Sequence, residues 1–341
     1  MSKLSRLMLA AVAVCGTSAV MAQSSVTIYG RVNTTVEHQK LGDNKATGLV
    51  NNRSRIGFKG VEDLGNGLKA GFQLEAGFNS DDGSDPLTFA RQSEVNLSGN
   101  FGMVRLGNFY PESYYATSDY IGMHNHETGS SSDALYVDPA WFYGTGNGNK
   151  VAYRTPTFNN FWAEASVSMH EKANAAPAVN KNGYDLAANY NNGPLSLGAG
   201  YSYWNSNYQA SLRGLYTFGQ FTVGAYYQRN KDDNAILGTG AGTRNNFRLS
   251  AMYVMNASEF HVNVGRANKW SNVSDSAATQ WTLGYNYNLS KRTKIYTYYT
   301  RINSGKGMDY SSGAASFDSI KAGTNAGDNF SSFALGVRHN F

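Results

Sequence analysis

From Ser25 onward this chain alternates between apolar and polar residues in run after run of strand length. "LSLGAGYSYW" sets Leu195, Leu197, Ala199, Tyr201 and Tyr203 against Ser196, Gly198, Gly200 and Ser202. "WTLGYNYNL" repeats the scheme, with Trp281, Leu283, Tyr285, Tyr287 and Leu289 against Thr282, Gly284, Asn286 and Asn288. A period of two means strands with one apolar and one polar face. Sixteen such segments are read, at 25–38, 51–62, 68–78, 89–98, 103–109, 150–157, 161–170, 183–191, 195–204, 207–217, 221–231, 244–255, 259–267, 279–288, 293–303 and 331–341. Their connections alternate in length. "EDLGNG", "SGNFG", "NNGP", "TFGQ", "MNAS" and "LSKR" are tight, whereas 39–50, 79–88, 110–149, 231–243, 268–278 and 304–330 are long and polar.

An even number of strands, with short turns at one end and long loops at the other, is the pattern of a transmembrane β-barrel of the outer membrane. In lipid every backbone N–H and C=O must find a partner within the protein, so the sheet must close on itself. The last segment, "SSFALGVRHNF", therefore reads as the closing strand, zipped against 25–38, with Phe341 in the aromatic belt at the interface. Composition fits this reading only through its pattern. Mean hydropathy is −0.44, which alone would suggest a soluble chain, and no apolar run beyond the leader approaches the ~20 residues of a spanning helix.

The first residues read as a secretory signal peptide over 1–22: Lys3 and Arg6, then an apolar run from Leu7 to Val20, then Met21-Ala22. The mature barrel is expected over 23–341. The single cysteine, Cys15, leaves with the leader, so no disulfide holds the mature chain. The net charge of +5 is too mild to suggest a nucleic-acid partner.

The stretches "SSVTIYGRV", "SRIGFKGVEDLGNGLKAGFQLEAGF" (54–78), "ARQSEVNLSGNFGMVRLGNF" (90–109) and the terminal "GVRHNF" resemble Gram-negative general porins of the beta-proteobacterial type, over essentially the full length. The resemblance implies an all-β, sixteen-stranded antiparallel barrel, a homotrimer, and a third extracellular loop folded into the lumen. It also implies passive diffusion of ions and small hydrophilic solutes across the outer membrane. Expected partners are outer-membrane lipid, those solutes, and the barrel-assembly machinery during insertion.

A barrel of this size encloses a water-filled channel whose lining sets its selectivity. Segment 110–149 holds Glu112, Asp119, Glu127, Asp133 and Asp138 but no Lys or Arg, and the resemblance places it inside the pore. Strand parity turns Arg31, Arg53, Arg55, Lys59, Lys69, Arg105, Lys150, Arg154, Arg213 and Arg248 inward, with Glu75, Glu94, Glu164, Asp185 and Glu259. An Arg facing lipid near mid-membrane would cost ~2–4 kcal/mol. The expected pore residues are a basic wall of Arg31, Arg53, Arg55, Arg91, Lys150 and Arg154. They face acids at Glu75, Glu112, Asp119, Asp133 and Asp138, with a net preference for anions. Arg91 is a point of conflict. The resemblance nominates it for the wall, simple alternation back from Val95 and Leu97 turns it outward, and a bulge would reconcile them. "GTGNGNK" lacks an arginine that related chains often carry there, and Lys150 is the candidate substitute.

No catalytic, cofactor or metal site is expected. "HNHE" (His124, His126, Glu127) lacks a third rigid ligand, and no helix follows the glycine-rich loops to bind phosphate. The alternatives are a channel selective for organic anions or sugars along Tyr114, Tyr115 and Tyr120, a barrel enzyme, and an adhesin using loops 231–243 and 304–330.

Overall fold

The computed structural model describes residues 25–118, 121–122, 129–171, 180–233 and 240–341. The expected leader, Asp119, Tyr120 and the "HNHE" motif lie outside the described residues. The strand segments are β1 (Ser25–Leu41), β2 (Asn44–Asn51), β3 (Arg55–Gly65), β4 (Leu68–Gly77), β5 (Gln92–Gly99), β6 (Gly102–Asn108), β7 (Lys150–Arg154) and β8 (Phe161–Ser168). They continue as β9 (Gly183–Asn192), β10 (Leu195–Trp204), β11 (Asn207–Phe218), β12 (Phe221–Asp232), β13 (Gly242–Met255), β14 (Ser258–Ala267), β15 (Ala278–Asn288), β16 (Thr293–Ser304) and β17 (Phe330–Asn340).

Neighbouring strands pair antiparallel, and β1 closes the sheet on β17 from Arg31↔Asn340 to Leu41↔Phe330. On its other side β1 pairs with both β2 and β3. These two are one barrel strand, interrupted at residues 52–54, so the closed barrel has sixteen strands. The ladder reaches the last residue: Phe341 N–H donates to Gly30 O at 3.1 Å and Gly30 N–H to Phe341 O at 3.2 Å. The Phe341 ring lies over Gly30, where a Cβ would come 2.6 Å from Cζ.

Alternation translates into two faces. Arg31, Asn33, Thr35, Glu37 and Gln39 of β1 are buried inside, while Val26, Ile28, Val32 and Val36 are exposed outside. Outward rings at the short-turn end form a continuous row, with centroid separations from 4.7 to 6.4 Å through Tyr216, Phe218, Phe221, Tyr253, Phe260 and Tyr285. Such a girdle marks the membrane interface.

One connection differs from expectation. Residues 39–50 are no loop: β1 and β2 continue as a hairpin to Leu41↔Asn44, turning at Gly42-Asp43. Beyond the apolar band both faces of a strand meet water or polar lumen, so the alternation of polarity that reveals a strand fades there while the ladder persists.

Candidate functional site at the pore constriction

Between β6 and β7 the chain folds into the barrel and runs along its inner wall. A short helix, Glu112–Thr117, lies flush on β10 because the inward positions there are glycines. A Cβ on Gly198 would fall 1.8 Å from Ala116 O, and one on Gly200 2.8 Å from Ser113 Cβ. Asp185 accepts the Ser113 backbone N–H at 3.1 Å and the Ser202 hydroxyl at 2.7 Å, and it also binds the Ser113 hydroxyl. Further along, Ser130 donates to Glu37 at 2.5 Å and bonds the Tyr298 hydroxyl at 2.9 Å. Gln280 Nε2 donates to Ser132 O at 2.8 Å, and Arg244 Nη2 to Leu135 O at 2.6 Å. Strand side chains thus satisfy the backbone of a segment that has no ladder of its own.

These anchors change the role of the acids read on this segment. Glu112 points to the wall, 2.7 Å from Arg154 Nη2, in a chain of charges that continues through Glu164, Arg105 and Glu94. Burial pushes its carboxyl up to about 7, against the pull of Arg154. Asp138 is 1 % exposed, accepts the Trp141 N–H at 3.0 Å, and is likewise raised by burial to about 7. Asp133 is clasped by Arg248, at 2.5 and 3.0 Å, and by the Tyr226 hydroxyl. Burial alone would raise its carboxyl, but the guanidinium holds it below the usual carboxylate value. Glu112 and Asp138 therefore do not line the open pore as expected, and Asp133 reaches it already paired.

The basic residues divide in two. Lys150 is 1 % exposed and caps the carbonyls of Phe109 and Gly146 at 3.0 and 2.7 Å. It seals the base of the inward segment and does not line the pore, contrary to expectation. Arg154, stacked 4.3 Å over Trp162, serves the same base. The other four share one stretch of wall. Arg31 and Arg55 sit directly opposite each other across the β1–β3 ladder, a like-charge pairing that costs stability without a compensating anion. Arg31 Nε donates to Arg53 O at 3.0 Å. Glu75 lies 2.7 Å from Arg91 Nε and 3.6 Å from Arg55 Nε. Arg91 thus points inward; it lies just before β5, where alternation carries no information.

Arg53 occupies the break between β2 and β3 with φ 60°, an uncommon conformation for a non-glycine residue. The break shifts the inward parity from Val50 in β2 to Arg55 in β3. Ser54 and Asn52 satisfy Asn33 across it, so Arg53 is held exposed at the channel. A cavity of about 230 Å³ is lined by Arg53 and Arg91 together with Tyr110, Tyr114, Tyr136 and Trp141. Glu37 and Tyr298, which hold the inward segment, were absent from the expected site, although Glu37 shares the inward parity of Arg31 and was legible from it.

A model of the Gram-negative porin family matches residues 9–307. Outer membrane porin protein 32 of Delftia acidovorans is 33% identical over 372 residues, spanning 99% of this chain and 100% of the relative. The major outer membrane protein P.IB of Neisseria lactamica is 28% identical, across 84% of this chain and 91% of its own. The solved anion-selective porin from Comamonas acidovorans superposes with TM-score 0.75 at 29% identity, covering 94% of this chain and all of that one. With a closed barrel, an inward loop and a family match over most of its length, the chain belongs to the Gram-negative porins.

Proposed function

We propose that this porin, an outer-membrane diffusion channel, passes small anions in preference to cations, and does so as a homotrimer. The observation that carries the proposal is a basic stretch of wall in which Arg55 and Arg91 meet Glu75, Arg31 stands opposite Arg55 and donates to the Arg53 carbonyl, beside an inward segment whose Glu112 and Asp138 are turned away. Guanidinium groups stay charged at any relevant pH, and a ring of one charge at the narrowest point sets selectivity. The solved relative named an anion-selective porin supports the same sign. Outer-membrane lipid and the assembly machinery are the remaining partners proposed.

The test is a reversal potential in planar bilayers under a KCl gradient. Wild type should show the sign for anions. Arg53→Ala with Arg91→Ala should move it toward cations, more at 0.1 M than at 1 M salt, because the Debye length falls from ~10 to ~3 Å. A cation-preferring wild type, or an unmoved double variant, would overturn the assignment.

A further inference from the structure

The inward segment brings more than its anchors into the channel. Tyr110, Tyr114, Tyr136 and Trp141 form one cluster: Tyr110 lies 5.7 Å from Trp141 and 6.0 Å from Tyr114. Tyr114 stacks at 23° on Trp141 and meets Tyr136 at 5.5 Å. None of the four is buried. Cores of this protein look different, as the fully buried Trp270 and Phe330 illustrate. Here the rings border the cavity and stay partly exposed.

The same cavity is also lined by cations, of which Arg91 is paired with Glu75 through Nε. Arg91 lies 5.9 Å from the Tyr110 centroid, and Arg53 and Arg91 line the space together with the rings. Asp133 also reaches the cavity, but it is neutralised by Arg248. The ring cluster and the two arginines thus line one cavity, with Arg91 set against Tyr110.

We infer that the constriction carries a weak subsite for aromatic carboxylates, in which the ring lies on Tyr114 and Trp141 and the carboxylate meets Arg91 and Arg53. The inference rests on the anion-preferring reading for the carboxylate end and adds the ring end. A simple ion such as chloride uses only the arginines. An aliphatic carboxylate of equal size has the charge but no π-face to stack. Ring stacking is a modest effect, which suits a channel: a site that held its solute tightly would not conduct.

Benzoate and cyclohexanecarboxylate are the probes, being alike in charge and nearly alike in size. Each is titrated against the chloride current of the reconstituted channel. Benzoate should reduce that current at concentrations about three- to tenfold lower than cyclohexanecarboxylate. Tyr114→Leu and Trp141→Leu should bring the two titrations together. Tyr114→Phe and Trp141→Phe keep the ring faces and should keep the discrimination, which separates loss of the rings from a displaced loop. Equal titrations in wild type, or loss of discrimination in the phenylalanine variants, would overturn the subsite while leaving the anion preference standing. A cation-preferring reversal potential with discrimination intact would overturn the anion preference alone.

Discussion

Glu112 sits where two opposing effects meet. Its carboxylate is within 2.7 Å of Arg154, yet it is buried among Glu164, Asp185 and Arg105, and burial wins, raising it to about 7. With the segment released into water the same group titrates near ~4.3. A carboxyl that is raised when seated binds its proton more tightly there, so the seat is firmest below the released value and loosens as pH climbs through about 7. Asp138 adds in the same direction. The seated segment should therefore lose on the order of 2–4 kcal/mol of local stability between pH 5 and 8. Hydrogen exchange over 112–117, corrected for intrinsic rate, should show protection falling with pH in wild type and much less so in Glu112→Gln. A flat wild-type profile would refute the argument. At this scale the sequence was only half legible. Arg31 and Arg55 followed from parity because they stand inside regular ladders. Parity also turned Arg53 inward, although it lies at a break that shifts the alternation, whereas Arg91 lies beyond a strand end, where parity has no hold. The burial of Glu112 and Lys150 depends on where the inward segment lies, and nothing local in the chain encodes that.

Elements show how the inward segment and the closing strand are held. Gly198 and Gly200 were visible as the polar face of a strand, but their purpose appears only when a helix rests on them. Gly198→Val would force Ala116 away from the wall, since the new Cβ alone would overlap its carbonyl oxygen. The barrel should still form, as β10 keeps its ladders to β9 and β11, while single-channel conductance and its noise change. Gly214→Val on β11 is the control: its Cβ would meet only Leu197 Cδ2, at 3.7 Å. Equal conductance in both variants would mean that the glycine floor does not seat the segment. Closure makes a second prediction. Phe341→Asp removes the ring from the interface and puts a charge there, and Gly30→Val fills the place where that ring lies. Both should lower the amount of porin assembled in the outer membrane, and normal levels of either would count against closure through this contact. The closing strand was legible end to end because one of its faces meets lipid, which makes its alternation strict. The hairpin at 42–43 was not, because it rises beyond the apolar band.

The whole barrel is uneven in height, and its unevenness predicts its assembly state. All sixteen strands were legible in sequence, because lipid on one side and water on the other impose the same period everywhere. Their lengths were not, since a short strand and a short visible stretch of a long one look alike. β1 has 17 residues and β13 has 14, whereas β5, β6 and β7 have 8, 7 and 5. A spanning strand needs about 9–11 residues. Facing lipid directly, the β5–β7 sector would be too short to match the hydrocarbon layer, a mismatch that costs free energy. Covering that sector with another copy removes the problem, and rotation about a shared axis lets each copy cover the next and close the ring. The low wall should therefore face the axis of the proposed trimer, while β15, with 11 residues, faces lipid. Outward side chains give the test: Val95 on β5 and Leu106 on β6 are 54% and 47% exposed, and Leu283 on β15 is 51% exposed. Single cysteines at Val95 and Leu106 should cross-link copies with a short bifunctional reagent, giving bands above the monomer after heating in detergent. A cysteine at Leu283 should not. Cross-linking through Leu283 alone would place the interface on the tall side of the barrel, and no cross-linking at any of the three would leave the low wall without its cover.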